Sequence, residues 1–196
     1  MRVALGISYN GQPYRGWQSQ SDGQTVQDKL EAALSRFADR RIGTLCAGRT
    51  DAGVHALMQV VHFNTEIDRA TYAWVRGTNA NLPKDIAVHW ALHTSDEFHC
   101  RASARSRRYA YVLLQSPIRP SIEMGRVGWT FDELDIEAMR AAAAILLGTH
   151  DFTSFRASQC QALTPVKTLI DIRITQRGNY VRLEFEANAF LHHMIR

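Results

Sequence analysis

Apolar and polar residues alternate at the start of the chain. Val3, Leu5, Ile7 and Tyr9 fall on one face of RVALGISY, the two-residue period of a β-strand. After a loop rich in Gly, Pro and Gln the period changes. In TVQDKLEAALSRF, Val26, Leu30, Ala33, Leu34 and Phe37 recur at helical spacing, and Thr25, with Asp28 three residues on, supplies the cap. Short strand patterns follow at 42–47 and 58–64, a helical pattern at 68–80 and, beyond the breaker NLPK, a strand at 85–92. Strand, helix, strand, strand, helix, strand is the order of a split βαβ, or ferredoxin-like, unit, an antiparallel sheet with helices on one face.

The second half repeats part of this order. RRYAYVLLQ (107–115) reads as a strand, and DELDIEAMRAAAAILLG (132–148) as an Ala-rich helix closed by Gly148. TLIDIRITQ and YVRLEFEA pair as a hairpin around Arg177, Gly178 and Asn179. NAFLHHMIR then begins a helix capped by Asn188, which ends after about two turns and needs packing to be stable. The pattern predicts an α+β protein of two ferredoxin-like units, 1–97 and 98–196, forming a mostly antiparallel sheet. Residues 93–106 hold the connection, and the second unit is short of its last strand.

Composition narrows the class. With 196 residues, 45% of them hydrophobic and 21% charged, the chain can bury a globular core. No apolar run approaches the roughly 18 residues of a membrane span, and the first residues lack the basic start and apolar stretch of a signal peptide. The expected address is cytoplasmic, with no membrane partner. Cys46, Cys100 and Cys160 are odd in number, far apart and never in CxxC spacing, so reduced thiols are expected and no metal site. A formal net charge of +4 does not by itself identify a nucleic-acid binder. Its distribution says more: RASARSRRYAY sets Arg101, Arg105, Arg107 and Arg108 beside tyrosines, a footprint of phosphate contact and base stacking.

Several stretches hold reactive side chains among small or apolar neighbours. AGRTDAGVHA (47–56) lies between two strand patterns, where small residues let the backbone turn sharply and a ligand approach. Taken alone, an Asp in such a loop is first of all a cap for the turn. Arg49 shifts that balance, because it can hold a carboxylate ionised and oriented while Gly48, Ala52 and Gly53 leave room for a substrate. Such a carboxylate can act as nucleophile or base. His55 is expected to be a structural hydrogen-bonder.

Tyr109 and Tyr111 share one strand face, either as core or, beside Arg107 and Arg108, as a platform on which a base stacks. In GTHDFTSFR, Asp151 caps the turn, and Phe152 and Phe155 are core. In NAFLHHMIR, Phe190, Leu191 and Met194 form a packing face, and adjacent His192 and His193 would diverge on a helix rather than share a metal. Arg196, closing that apolar run, calls for a buried acidic partner. SYNGQPYRGWQSQ offers Trp17 as an apolar anchor and Gln18 and Gln20 as RNA contacts.

With these stretches in order, the chain resembles the tRNA pseudouridine synthases that modify uridines 38, 39 and 40 of the anticodon stem-loop. GISYNGQPYRGWQSQ, CAGRTDAGVHA, NANLP, ARSRRYAY, DFTSFR and NAFLHHMIR all match in sequence order, across essentially the whole chain. The resemblance implies that Asp51 is the catalytic aspartate and that Tyr109 is the tyrosine that stacks on the target base. It implies that Arg196 pairs with that aspartate and that Arg49 contacts RNA or helps flip the base. Once the base is extruded, Arg49, Arg107 and Arg108 are expected to hold the distorted backbone. It further implies tRNA as partner, a homodimer in which one tRNA touches both subunits, and an RNA-binding cleft on the sheet face opposite the helices. Family members continue for a helix and a closing strand beyond the position of Arg196.

Isomerising uridine gains and loses no group, so no cofactor is expected. Two other activities fit the residues. A non-catalytic RNA-binding module is permitted by the Arg and Tyr content alone. An Asp-dependent N-glycosidase-type hydrolase needs a second carboxylate, for which Asp151 is the remote candidate.

Overall fold

β1 (Arg2–Tyr9) buries the predicted face, with Val3, Leu5 and Ile7 fully buried and Tyr9 nearly so, and Ala4 and Gly6 on its other face are buried as well. The computed structural model describes residues 1–195 and divides the chain into two compact units, Met1–Ala104 and a second from Arg105 onward. In the first unit β1 is followed by α1 (Val26–Ala38), β2 (Leu45–Cys46), β3 (Ala56–Asn64), α2 (Thr71–Asn79) and β4 (Ile86–Thr94). The sheet order is β2-β3-β1-β4, with every ladder antiparallel. β1 is therefore internal, paired along its length with β3 and β4.

α1 starts where the sequence places it. Thr25 stands in extended conformation and its hydroxyl accepts the Asp28 backbone N–H, while Val26, Leu30, Ala33, Leu34 and Ala38 turn inward. α2 has no side-chain cap and only nine residues, so its stability comes from packing. Trp74, fully buried, meets Phe37 and Phe63 edge-on at ring-centroid distances of 5.4 and 5.0 Å. Each large apolar side chain in this core is worth about 1.5–3 kcal/mol of burial.

The second unit contains β5 (Arg107–Gln115), β6 (Gly128–Thr130), α3 (Ile136–Ile145), β7 (Gly148–Asp151), β8 (Val166–Arg177) and β9 (Tyr180–Ala187). Its sheet runs β6-β5-β9-β8-β7, antiparallel except for the parallel β5/β6 pair. β8 and β9 form the expected hairpin, turning through Gly178 and Asn179. The protein is thus α+β with two mostly antiparallel sheets. The expectation of one sheet is corrected: each ladder closes within its own unit, because β3 and β4 take both sides of β1, and β5 and β8 take both sides of β9.

Three local expectations are also corrected. Residues 188–195 form no helix; they run irregularly into a turn at 192–195, with His193 at φ 64°. The Asn188 side chain does not cap a helix but accepts the Thr168 backbone N–H at 3.1 Å, the His192 C=O accepts the remote Ala157 N–H, and Met194 N–H closes a local turn on Leu191 C=O. The Ala-rich helix begins at Ile136, capped by Asp135, and buries none of its residues fully. Phe155 is 47% exposed, lying against the buried Phe152 rather than beneath it. Leu191 and Met194 are buried with Phe152, and Phe190 packs against them, as the apolar spacing predicts.

Thr25→Ala should lower the stability of the first unit by about 1 kcal/mol through loss of the cap. Urea unfolding followed by the fluorescence of Trp17 and Trp74 measures it.

Candidate functional site

The AGRTDAGVHA loop joins β2 to β3, and its two ends are tied first. Ala47 N–H donates to Val60 C=O at 2.8 Å, continuing the β2/β3 ladder. The buried Gln59 amide clamps Gly48, accepting its N–H at 3.3 Å and donating to its carbonyl. At the far end His55 Nδ1 accepts the Gly11 N–H at 3.2 Å, the structural role its position predicts.

The middle of the loop is pressed against residues 11–17. Trp17 N–H donates to Thr50 C=O at 2.9 Å, Gly53 N–H reaches Tyr14 C=O at 3.4 Å, and Val54 N–H closes a turn on Asp51 C=O at 3.1 Å. The two segments approach so closely that side chains are excluded at two positions. A Cβ on Gly11 would stand 2.0 Å from the Val54 carbonyl oxygen, and one on Gly16 would stand 2.8 Å from that of Thr50. Gly16 also has φ +84°, where side chains are strained. Trp17, 1% exposed, anchors this segment in the core, its ring centroid 6.0 Å from that of Tyr9. Arg49 is exposed and Asp51 half-buried on the loop so fixed.

Two neighbours modulate the surroundings. Cys46 and Cys100 are buried free thiols. Burial pushes Cys46 above its usual pKa against the pull of the Arg101 and Arg49 guanidiniums, and Cys100 is pushed up to about 11, mainly by burial. Both are held as thiols at neutral pH. Arg101 turns towards Cys46, its Nε 3.4 Å from the carbonyl oxygen and Nη2 3.8 Å from Sγ. Tyr14 donates its phenol proton to Asp85 Oδ1 at 2.6 Å. Burial first, and then that bond, raise its pKa far above the ordinary value.

The second unit carries most of the other predicted residues, and strand geometry sorts those on β5. Arg107 and Tyr109 lie two apart on β5 and share a face, while Arg108 points to the opposite one. Arg107 Nη1 donates to Asn188 C=O at 2.8 Å, and the half-buried Tyr109 meets Phe190 edge-on at 5.0 Å. Arg108 is ion-paired to its cross-strand neighbour Glu186, which also accepts the Ser106 hydroxyl at 2.6 Å. The Ser106 bond and then Arg108 hold the Glu186 carboxyl below its usual pKa. Asp151 caps its turn as predicted, accepting the Thr153 N–H at 2.8 Å. The Gln20 amide donates to Arg15 C=O at 3.0 Å. Arg196 lies outside the described residues.

The loop lies within a stretch shared with known proteins. A family model described as tRNA pseudouridine synthase matches residues 7–101 and 142–196. The chain belongs to the tRNA pseudouridine synthase family. Among similar proteins are the tRNA pseudouridine synthases A of Albidiferax ferrireducens, 68% identical over 196 residues, and of Variovorax paradoxus, 68% identical over 200. That of Paracidovorax citrulli is 64% identical over 214 residues. Each alignment takes in 100% of this chain and 74–77% of the relative. Within the family match lie Arg49, Asp51 and Arg196, whereas Arg107, Arg108 and Tyr109 fall between its two segments.

Sequence reasoning missed residues that hold the loop: Gln59, and Tyr9, whose phenol oxygen lies 2.8 Å from Thr50 Oγ1. One signal was available. Alternation buries Tyr9, and a buried tyrosine hydroxyl seeks a hydrogen-bond partner.

Two measurements probe this architecture. Gly16→Ala should destabilise the first unit clearly more than Gly23→Ala, which has φ +65° but nothing within 4 Å of its Cβ and so carries only the left-handed backbone cost of about 1–2 kcal/mol. Thermal unfolding of the two variants gives the difference. The Tyr14 proton is held more tightly in the folded state than in the unfolded one, so its contribution is intact below pH about 10 and declines as pH rises beyond that. Tyr14→Phe should therefore be less stable than the parent at neutral pH, with urea midpoints that converge in alkaline buffer.

Proposed function

We propose that this chain isomerises uridine to pseudouridine at positions 38, 39 and 40 of the tRNA anticodon stem-loop, with Asp51 as the reacting carboxylate. The observation that carries the reading is the presentation of Asp51. A loop of small residues, clamped at both ends and pressed onto residues 11–17, holds this carboxylate half-exposed beside Arg49, within a stretch that the family match covers.

The chemistry follows from what must change. The bond from uracil N1 to the sugar C1′ breaks, the base turns, and C5 bonds to C1′; the C5 hydrogen leaves as a proton and N1 takes one up. Atoms and electrons balance without a cofactor. A carboxylate suffices, by adding to the base, attacking the sugar carbon or removing a sugar proton. A uridine stacked in a stem must first be extruded. Gly48, Ala52 and Gly53 leave clearance for it, Arg49 contacts the RNA, and Tyr109 offers a ring to replace lost stacking. Arg107 and Arg108 hold the backbone, and Arg196 pairs with Asp51.

Each unit is read as ferredoxin-like, and the order β2-β3-β1-β4 with helical crossovers α1 and α2 supports this for the first. The RNA-binding cleft lies on the sheet faces opposite the helices, the working form is a homodimer, and the site of action is the cytoplasm. No helix among the described residues is long and apolar enough to cross a membrane. The hydrolase alternative is less favoured, because its candidate second carboxylate, Asp151, gives one oxygen to Thr153 as a turn cap.

Asp51→Asn should fold and bind tRNA with near-parental affinity but release no label from uridine C5. Parental turnover by this variant removes Asp51 from the reaction. Free uracil among the products of the parent protein selects the hydrolase, and tRNA binding with no turnover by the parent selects the binding module.

A further inference from the structure

Tyr9 is the last residue of β1, where the register with β3 shifts so that it stands opposite Ala56, the first strand residue after the AGRTDAGVH loop. Its ring is 4% exposed and lies beside Trp17, so its position is set by the core. The phenol oxygen comes within 2.8 Å of the Thr50 Oγ1, and either hydroxyl can donate. Thr50 is thus held at two points. The sheet holds its side chain through Tyr9, and the residue 11–17 segment holds its carbonyl through the Trp17 N–H.

Thr50 immediately precedes Asp51. Fixing its side chain and its carbonyl leaves the peptide plane that leads into Asp51 little freedom, and the Val54 bond to the Asp51 carbonyl fixes the plane that follows. The carboxylate is therefore carried on a backbone pinned from both sides. A reacting group misplaced by about 1 Å can lose about a hundredfold in rate, so such pinning has kinetic value.

We propose that Tyr9 is a positioning residue for uridine isomerisation, acting through Thr50 to set the Asp51 carboxylate. The inference rests on Asp51 as the reacting group. Packing alone asks only that the Tyr9 hydroxyl be satisfied by some partner. A partner it has is the side chain adjoining the candidate reacting carboxylate.

The test compares single-oxygen deletions in the full-length protein. Tyr9→Phe keeps the buried ring and should lower kcat by about tenfold, the loss expected from one hydrogen bond and modest misplacement, with KM for tRNA unchanged. Thr50→Val, which keeps the branched shape, should show the same split, and Thr50→Ser should recover most of the turnover that Thr50→Val loses. The double variant should be no slower than the slower single variant, because both remove one interaction. Parental kcat in Tyr9→Phe, a rise in KM that accounts for its loss, or multiplicative losses in the double variant overturns the proposal. If Tyr9→Phe does not fold, the contrast between Thr50→Val and Thr50→Ser decides, and equal turnover in the two overturns it. Parental turnover by Asp51→Asn overturns the reading of Asp51 instead, whatever the Tyr9 variants do.

Discussion

The candidate loop depends on the close approach of residues 11–17 to residues 50–54. Two glycines make it possible, since backbone oxygens occupy the space where the Cβ atoms of Gly11 and Gly16 would be. That approach lets Trp17 reach both the core and the Thr50 carbonyl, and it sets Tyr14 where its carbonyl meets Gly53 and its hydroxyl meets Asp85. A loop rich in Gly and Ala has little side chain with which to order itself. Here the order comes from a neighbouring loop, itself nailed to the core by Tyr14 and Trp17, each under a tenth exposed.

Support for this arrangement comes from the sheet below. β1 is internal, so the end that delivers Tyr9 is laddered on both sides, to Ala56 and to Ile86. The loop is therefore braced by an internal strand of the sheet. α1 contributes at the other entrance to β2, where Glu31 accepts the Thr44 N–H at 2.7 Å and the Gln27 amide donates to Thr44 C=O. The cap at Thr25 matters to the site through this route, because it fixes where the helix begins.

Periodicity revealed the longer elements and failed at the shortest. β1, α1, β5 and the β8/β9 hairpin announce themselves by period and punctuation, and they form close to the places expected. β6 and β7 are three and four residues long with no fully buried position, too short for alternation to register. The stretch from Asn188 has helical spacing and a good cap residue, yet tertiary hydrogen bonds to Ala157 and Thr168 win over a local preference worth about 1 kcal/mol. At the candidate site, Arg49, Asp51 and His55 were legible because unlike side chains in a bare loop stand out. Gln59 and Tyr9 were not, since strand alternation explains a buried residue without saying what its polar end touches.

The Arg108–Glu186 pair changes how the basic stretch before and within β5 would behave electrostatically. Of Arg101, Arg105, Arg107 and Arg108, one is neutralised across the strand by a carboxylate, and another turns its guanidinium to the Cys46 carbonyl and sulfur. Counterion release counts only the cations that reach phosphates, at about 0.9 logarithmic units of affinity per contact for each tenfold change in salt on duplex DNA and about 0.7 on single strands. Binding through this segment should therefore fade with ionic strength more gently than four arginines in sequence suggest, leaving recognition to depend more on stacking and shape.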